Sequence, residues 1–573
     1  MIVQLIIALF LLASTAEATV TIRNNWPNAA GNHVIRFDIY GDALDAHDGM
    51  VFQDPNDPQW FYRYGTSQNC GRMWGHNDTP FCGFKSWKTK DFQKWYPNGL
   101  LFDPAGVDAS KNTWQSICIG AYGAGCYEPN VLYNAASKKY VLWILSNSIP
   151  HFQVFTSDYP DRGFVVQTAA SVGSEADCDF NLIRLSNGDA YIAYTSCSGH
   201  WDIYIQKLTS DYQNVTGSAH MIKDGTGDFP TSTTVYESPS LFEKGSKLHM
   251  LYGRICGFCQ GSDSTLMSVD VSNPLGTWTQ GATLNSNSCG GQVRGVARLN
   301  VNGSDVYLYW SDRWRGQDMS LVPPVSPGVF GWATQGRANF FEIPLTFSGD
   351  TPQPFNCDDT YTLDLLPDPT VTTPANLMAS TLNDKFGGYC DVNGGNWEYQ
   401  TFTTAQMGLH TLRIITSKGP ADGTPCLTDG ALTCPIPNQD LRIIVAEDNG
   451  GAPGNTVSQV DIPRSTIGYA FGHIDLPNIP LSPGKIYGYV MKPVANMTAN
   501  SCYGWVYSDG ANSYSNGNTY YTTNGGISWI PQTARDLAFQ LIGPGAPAAQ
   551  TIVRMGTQGA RMGQGAIRWG KAN

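Results

Sequence analysis

DFNLIRLSNGDAYIAYTS, beginning at Asp179, and ESPSLFEKGSKLHMLYGR, beginning at Glu237, each read as a polar lead residue followed by two short apolar strands around a tight turn. The turns Ser186-Asn187-Gly188-Asp189 and Lys244-Gly245-Ser246 carry the residues that hairpins favour. Three further stretches share the pattern: DGMVFQDPNDPQWFYRYGTS from Asp48, EPNVLYNAASKKYVLWILS from Glu128, and QVRGVARLNVNGSDVYLYWSDRW from Gln292. Four residues after each lead stands an apolar side chain: Phe52, Leu132, Ile183, Leu241 and Val296. Hairpins in fixed register, recurring at intervals of roughly fifty residues or more, predict an all-β chain with a five-bladed β-propeller, about four strands to a blade. Phe152–Phe155 and Ile203–Ile205 are candidates for outer strands, and Val34–Tyr40 for a strand that closes the ring. Inner propeller strands lie side by side around one axis. The leads Asp48, Glu128, Asp179, Glu237 and Gln292 should therefore converge at one mouth.

The rest of the chain organises around that unit. MIVQLIIALFLLASTAEA reads as a secretory signal peptide over 1–18, with small residues at Ala16 and Ala18 before the cleavage point. The propeller is expected over 19–355, and a Pro-, Thr- and Asp-rich linker over 356–379. Alternating runs such as Leu441–Val445 and Lys485–Val490 predict a jelly-roll-like β-sandwich over 380–543. The Gly- and Ala-rich tail 544–573 lacks periodicity and is expected to be disordered. A secreted, extracellular monomer with no membrane attachment after signal cleavage is the expectation.

Charged residues make up only 14% of the chain and the net charge is −12 without a basic stripe, which argues against nucleic acid as a partner. A neutral ligand such as a glycan fits that charge better, and aromatic residues at 12% fit short strands and aromatic surfaces. The 14 cysteines, in a chain with an export signal, read as disulfides. Sequence-local pairings are Cys70–Cys82, Cys118–Cys126, Cys178–Cys197 and Cys426–Cys434. Cys256-Gly-Phe-Cys259 has no second CxxC and opens no helix, so a disulfide is the better reading than zinc or redox chemistry. Sequons stand at Asn77, Asn214, Asn302 and Asn496.

Cleaving a glycosidic bond needs one protonated carboxyl for the leaving oxygen and a second group to activate water or attack the anomeric carbon. A ring of acids can supply both, because neighbouring carboxylates push each other's proton affinities apart. A single Asp or Glu at a strand start more often binds turn amides. Four of them at one register of five repeats favour chemistry.

These residues resemble glycoside hydrolase family 43, a family of five-bladed propellers. Asp179-Phe-Asn-Leu-Ile-Arg is similar to its blade-three signature, and Glu237-Ser-Pro-Ser-Leu-Phe to the blade-four signature around the general acid. Ala46-His47-Asp48-Gly49 falls where the blade-one base lies. Ala46-His47, Glu128-Pro-Asn-Val, Gln292 and Ser311-Asp312-Arg313-Trp314 resemble the exo-β-1,3-galactanase branch. The resemblance spans roughly residues 35 to 365. It implies an exo-acting, inverting hydrolase of galactan or arabinan-type side chains, with a poly- or oligosaccharide substrate. It implies Glu237 as general acid, Asp179 as the residue that holds and tunes it, and Glu128 as a binder of sugar hydroxyls. In the galactanase branch the blade-one Asp is typically lost and a Gln at the position of Gln292 is proposed as base. This chain has both Asp48 and Gln292; on basicity Asp48 should dominate, with Gln292 orienting the water. Tyr64-Gly65-Thr66 departs from the branch, which usually carries a sugar-binding Glu after Tyr-Gly.

Other candidates surround the mouth. Tyr64, Trp310 and Trp314 could stack on sugar or pack between blades. His47 could bind substrate, orient Asp48 or line an axis that holds an ion; substrate binding is favoured. Arg313 could pair with a ring carboxylate or make a surface ion pair. No cofactor is required and no metal-ligand spacing is present, although a structural cation at the axis fits the fold. In the sandwich, Tyr503, Trp505, Tyr507, Tyr514, Tyr520, Tyr521 and Trp529 could form a glycan face or a core. Two other classes stay open: a non-catalytic lectin or adhesion propeller, which would need no separated acid and base, and a retaining transferase with closer carboxyls.

Overall fold

A computed structural model describes residues 19–24, 35–70, 81–102, 118, 126–146, 151–173, 178–197, 200–225, 236–254, 262–313, 336, 339–371, 377–381, 386–421, 436–508 and 514–544. Each predicted hairpin opens a meander. Blade one runs through Val51–Gln53, Phe61–Thr66, Phe84–Thr89 and Tyr96–Leu100. Blade two runs from Cys126–Asn134 to Val165–Ala170, blade three from Phe180–Arg184 to Val215–Lys223, and blade four from Glu237–Lys244 to Thr279–Asn285. Among the described residues blade five has three strands, Gln292–Val301, Ser304–Arg313 and Asn339–Pro344. The first strands neighbour one another from blade two to blade five, the second strand of blade one meets the first strand of blade two, and the fifth blade's first strand returns to that of blade one, which closes the ring.

Burial explains why the inner runs are apolar throughout. Second strands such as Lys139–Ser146 and Ala190–Ser196 are buried on both faces, because one blade's sheet packs on the next. The outermost strands Val165–Ala170 and Thr279–Asn285 are largely exposed. Each fully buried Leu, Val or Phe at these inter-blade faces contributes roughly 1.5–3 kcal/mol. Phe52, Leu132, Ile183, Leu241 and Val296 all line one cavity of about 440 Å³, so the shared register holds in space.

The closure differs from the sequence expectation. Val34 lies outside the described residues, and Ile35–Tyr40 forms no strand, only a bridge from Phe37 to Ala43. Ile35 and Phe37 pack instead against Ile415, Phe471 and Val506 of the sandwich. The ring is stapled by Val20–Arg23 paired with Thr360–Leu363, inside the stretch read as a linker. Beside this pair, the buried Glu342 carboxylate takes Arg36, Arg63 and a 2.7 Å bond from the Tyr361 hydroxyl. That network ties blade five to blade one where no backbone ladder joins them.

The described residues of the second unit form a sandwich of two six-stranded sheets around a core that includes Leu412, Ile443, Tyr489, Tyr503 and Phe539. It meets the propeller at a polar seam. Asp42 Oδ1 accepts from the His473 backbone at 2.9 Å and lies 2.7 Å from its ring Nδ1, and Ala470 N–H donates to Asn69 Oδ1 at 2.8 Å. Among the described residues every cysteine is paired. Cys70–Cys82, Cys118–Cys126 and Cys178–Cys197 match the local reading, while Cys289–Cys357 and Cys390–Cys502 join distant residues. Cys256, Cys259, Cys426 and Cys434, the signal segment, Asn77 and the tail beyond 544 lie outside the described residues.

Cys289–Cys357 closes a 68-residue separation around blade five. Replacing both with Ala should lower unfolding stability by about 2–4 kcal/mol. Urea denaturation followed by tryptophan fluorescence checks this; an unchanged midpoint would show that packing alone holds the last blade.

Candidate active site

Three of the five inner strands bulge beside their lead residues. Pairing slips between Tyr127 and Asn130, between Glu237 and Ser240, and between Val293 and Gly295. A bulge re-aims side chains that a regular strand would send into the neighbouring blade. Asp48 and Glu128 take φ values of 64° and 54°, and Ser238 57°, in the left-handed region that non-glycine residues rarely occupy. Two glycines make the Asp48 turn possible. A Cβ on Gly49 would sit 2.0 Å from the Tyr64 carbonyl oxygen, and one on Gly65 would sit 2.2 Å from the Ala46 backbone.

The five leads do converge, and a sixth residue organises them. One Arg294 terminal nitrogen binds Asp48 and the other binds Glu128. The second nitrogen also lies 3.2 Å from Asp179 Oδ2, and Nε lies 3.8 Å from Asp312 Oδ2. Gln292 Nε2 donates to Asp179 Oδ2 and to Glu237 Oε2, 3.1 Å each. Ser238 Oγ donates to Asp179 Oδ2 at 2.5 Å, and the Asp48 N–H donates to Asp312 Oδ2 at 2.5 Å. Below the leads, Asn181 Nδ2 donates to Asn130 Oδ1 at 3.2 Å, and Leu241 N–H donates to Asn181 Oδ1 at 3.0 Å. These amides bridge inner strands that share no ladder.

Burial ranks the groups. Asp48 and Glu128 are almost closed off, whereas the Asp179 side chain is 21% exposed and Glu237 is half-buried. The mouth thus presents Asp179 and Glu237 to solvent above a buried Arg294–carboxylate layer. Burial, followed by the Asp179 charge, raises the Glu128 carboxyl well above its ordinary range. Burial also raises Asp179, against hydrogen bonds from Ser238 and Glu128, and raises Asp312, against the charges of His47, Arg294 and Arg63. The Arg294 guanidinium is brought down to about 10 by desolvation.

Several expected sugar contacts are corrected. Tyr64 is fully buried; its hydroxyl donates to the Pro160 carbonyl at 2.7 Å and its ring stacks on Tyr62. Its place on the second strand of blade one turns it into the interface with blade two. His47 is also fully buried, with Nε2 3.3 Å from Asp45 Oδ1, so it braces the Asp48 turn rather than meeting substrate. Burial opposes ionisation of Asp45, but the His47 bond and the Lys85 charge outweigh it and hold that carboxyl below its usual range. Trp310 packs over Gly295 in the blade-five core. Arg313 is buried, and desolvation lowers it to about 9. Trp314 lies outside the described residues. Among the described residues no three acidic, His or Cys side chains are grouped to hold a metal, and a guanidinium fills the centre of the ring.

Sequence assigns no role to Arg294, Asp312 or Ser238, although Asp312 and Ser238 stand inside the motifs that carry the resemblance. Arg294 stands at the slip between Val293 and Gly295, where alternation does not fix which way a side chain points, and its strand also carries Arg298 and Asn300, so no residue pattern marks it out.

No family model and no curated protein sequence matches the chain. Among solved structures, it is similar to a family 43 β-1,3-galactosidase (16% identity, TM-score 0.46), covering 91% of this chain and 94% of that one. It is similar to an exo-β-1,3-galactanase from Clostridium thermocellum (15%, TM-score 0.44), over 93% and 98% of the two chains. It is similar also to one from Phanerochaete chrysosporium solved with galactose (17%, TM-score 0.43), over 85% and 100%. At these values the functional reading stands on the site's own residues.

Glu128, Asp179 and Asp312 bind protons more readily here than in an unfolded chain. Their contribution to stability is full below the ordinary carboxylate range and is lost as pH rises through their raised values; Arg294 offsets that loss. Arg294→Met should lower unfolding stability by about 3–5 kcal/mol at neutral pH. The deficit should shrink in mildly acidic buffer, as urea titrations at the two pH values would reveal. A deficit independent of pH would assign the loss to packing.

Proposed function

We propose that the chain is a secreted glycoside hydrolase that acts from chain ends on galactan or arabinan-type side chains, with inversion at the anomeric carbon. The observation that carries the reading is the mouth itself: Glu237 and Asp179 face solvent and share the Gln292 amide, above carboxylates neutralised by Arg294. The substrate class follows from the resemblance of Glu128-Pro-Asn-Val, Gln292 and the Ser311–Arg313 run to the galactanase branch. The paired cysteines suit an oxidising compartment.

In this mechanism Glu237 gives its proton to the glycosidic oxygen as the bond to the anomeric carbon breaks. Water attacks that carbon from the opposite face and passes a proton to the base. Asp179, fixed by Ser238, Gln292 and Arg294, places negative charge beside Glu237, which favours a protonated acid. Carboxyls of an inverting pair stand roughly 6.5–9.5 Å apart to leave room for water. Asp179 Oδ2 and Glu237 Oε2 each lie 3.1 Å from one nitrogen, so those two oxygens are no more than twice that distance apart. Asp179 is therefore assigned as the tuning neighbour of the acid, and Asp48, held by the other arm of the Arg294 fork, is assigned as the base. Asp48 and Gln292 are equally closed off, at 3% and 2% exposure, so burial does not choose between them; the Arg294 ion pair on Asp48 favours a second reading in which Gln292 orients the water and Asp48 serves to hold Arg294.

A screen of linear and branched galactans and arabinans, read by reducing-sugar release, tests the reading with Glu237→Gln as the blank. Wild type should exceed that blank by roughly 100- to 10,000-fold on at least one substrate. Asp48→Asn should cost more than Gln292→Ala; the opposite order moves water activation to Gln292. No release above the blank on any glycan would favour the lectin-like alternative.

A further inference from the structure

The sandwich contains a cavity of about 460 Å³ lined by Asp391, Glu398, Trp505, Tyr521, Gln532 and Arg535, together with Thr533 and Ala534. That volume falls within the roughly 300–1,000 Å³ of small-molecule sites. The topology explains its position. Asp391 lies on Phe386–Val392, the edge strand of one sheet, while Gln532 lies on Ile530–Gln532, the edge strand of the other, and Tyr521 on Thr519–Thr522 next to it. The cavity occupies the cleft where the two sheet edges separate.

Its lining is not that of a core. Glu398 is 5% exposed, and its Oε2 has no hydrogen-bond partner among the described residues. Asp391 Oδ1 accepts from the Trp505 indole at 2.5 Å. Arg535 stacks on Tyr507 at 4.7 Å and sits beside Gln532. Leaving a buried carboxylate oxygen unpaired is costly, and a sandwich core would place an apolar side chain there. Desolvation and the nearby Asp391 raise the Glu398 carboxyl well above its ordinary range, with Arg535 opposing.

We infer that this cavity is a saccharide-binding site separate from the propeller mouth, in which Glu398 and Asp391 accept from sugar hydroxyls, Arg535 and Gln532 donate to them, and Tyr521 offers a ring face. A polyhydroxyl ligand needs acceptors, donors and an apolar plate together, and the cleft supplies all three. A bare cation fits less well, because hard divalent ions take six or more oxygens and only two carboxylates meet here. An anion would face both acids. The site stands on its own residues; the choice of a galactan-type probe rests on the proposed function of the propeller.

The test is calorimetric titration of the full-length Glu237→Gln chain, which would leave the probe intact, with a β-1,3-linked galacto-oligosaccharide. Two sites per chain are expected. Adding Glu398→Gln, which keeps side-chain shape, should weaken one of them at least tenfold, and so should Tyr521→Ala, at a half-buried position that tolerates truncation. A single site lost on Glu398→Gln would still support the sandwich site and would count against sugar binding at the mouth. Unchanged stoichiometry and affinity in both variants, or a single site insensitive to both, would overturn the inference. Binding that depends on Glu398 in a chain whose wild type hydrolyses nothing would sink the enzyme reading and leave this site standing.

Discussion

The propeller mouth depends on one cation. Asp48, Glu128, Asp179 and Asp312 come from four blades and meet within reach of the Arg294 guanidinium. Packed this closely without a counter-charge, such a group would repel and would resist burial. With it, the carboxylates become a fixed layer on which Glu237 and Asp179 are presented. The planar fork matters: two nitrogens serve two walls of the ring at once, which a lysine's point charge cannot do.

The same logic recurs at a second level. Inner strands of a propeller lie side by side without backbone ladders, so their register must be set by side chains. Asn130 and Asn181 do this just below the mouth, and Glu342 with Arg36, Arg63 and Tyr361 does it where the ring closes. Buried polar networks are stabilising only when their members are satisfied. Here they coincide with the places where blade meets blade, and the sandwich adds support from outside. Asp42 and Asn69 bind its backbone, and they flank the Asp45–His47 pair that braces the Asp48 turn.

Much of this was legible in the sequence, for a physical reason. Strand alternation and turn residues fix hairpin register, and register fixes which side chains share a level. That is why Asp48, Glu128, Asp179, Glu237 and Gln292 meet, and why Phe52, Leu132, Ile183, Leu241 and Val296 line one cavity. Depth was not legible. Tyr64 and His47 are near the mouth in sequence, yet a residue on the second strand or in the preceding turn faces a blade interface, and alternation does not report that. The bulges that turn Glu128 and Arg294 inward have no residue signature comparable to a hairpin glycine. Disulfides followed the same division: three short-range pairings could be read, and the distant Cys289–Cys357 and Cys390–Cys502 pairs could not.

The central claim is that this mouth cleaves glycosidic bonds with acid and base on opposite faces of the sugar. Proton NMR of the first sugar released from a β-linked galactan, recorded before mutarotation equilibrates it, tests that claim most directly. The account predicts that the α-anomer appears first and the β-anomer grows in behind it. An initial β-anomer would mean retention, with Asp179 close enough to Glu237 to act as nucleophile, and would contradict it.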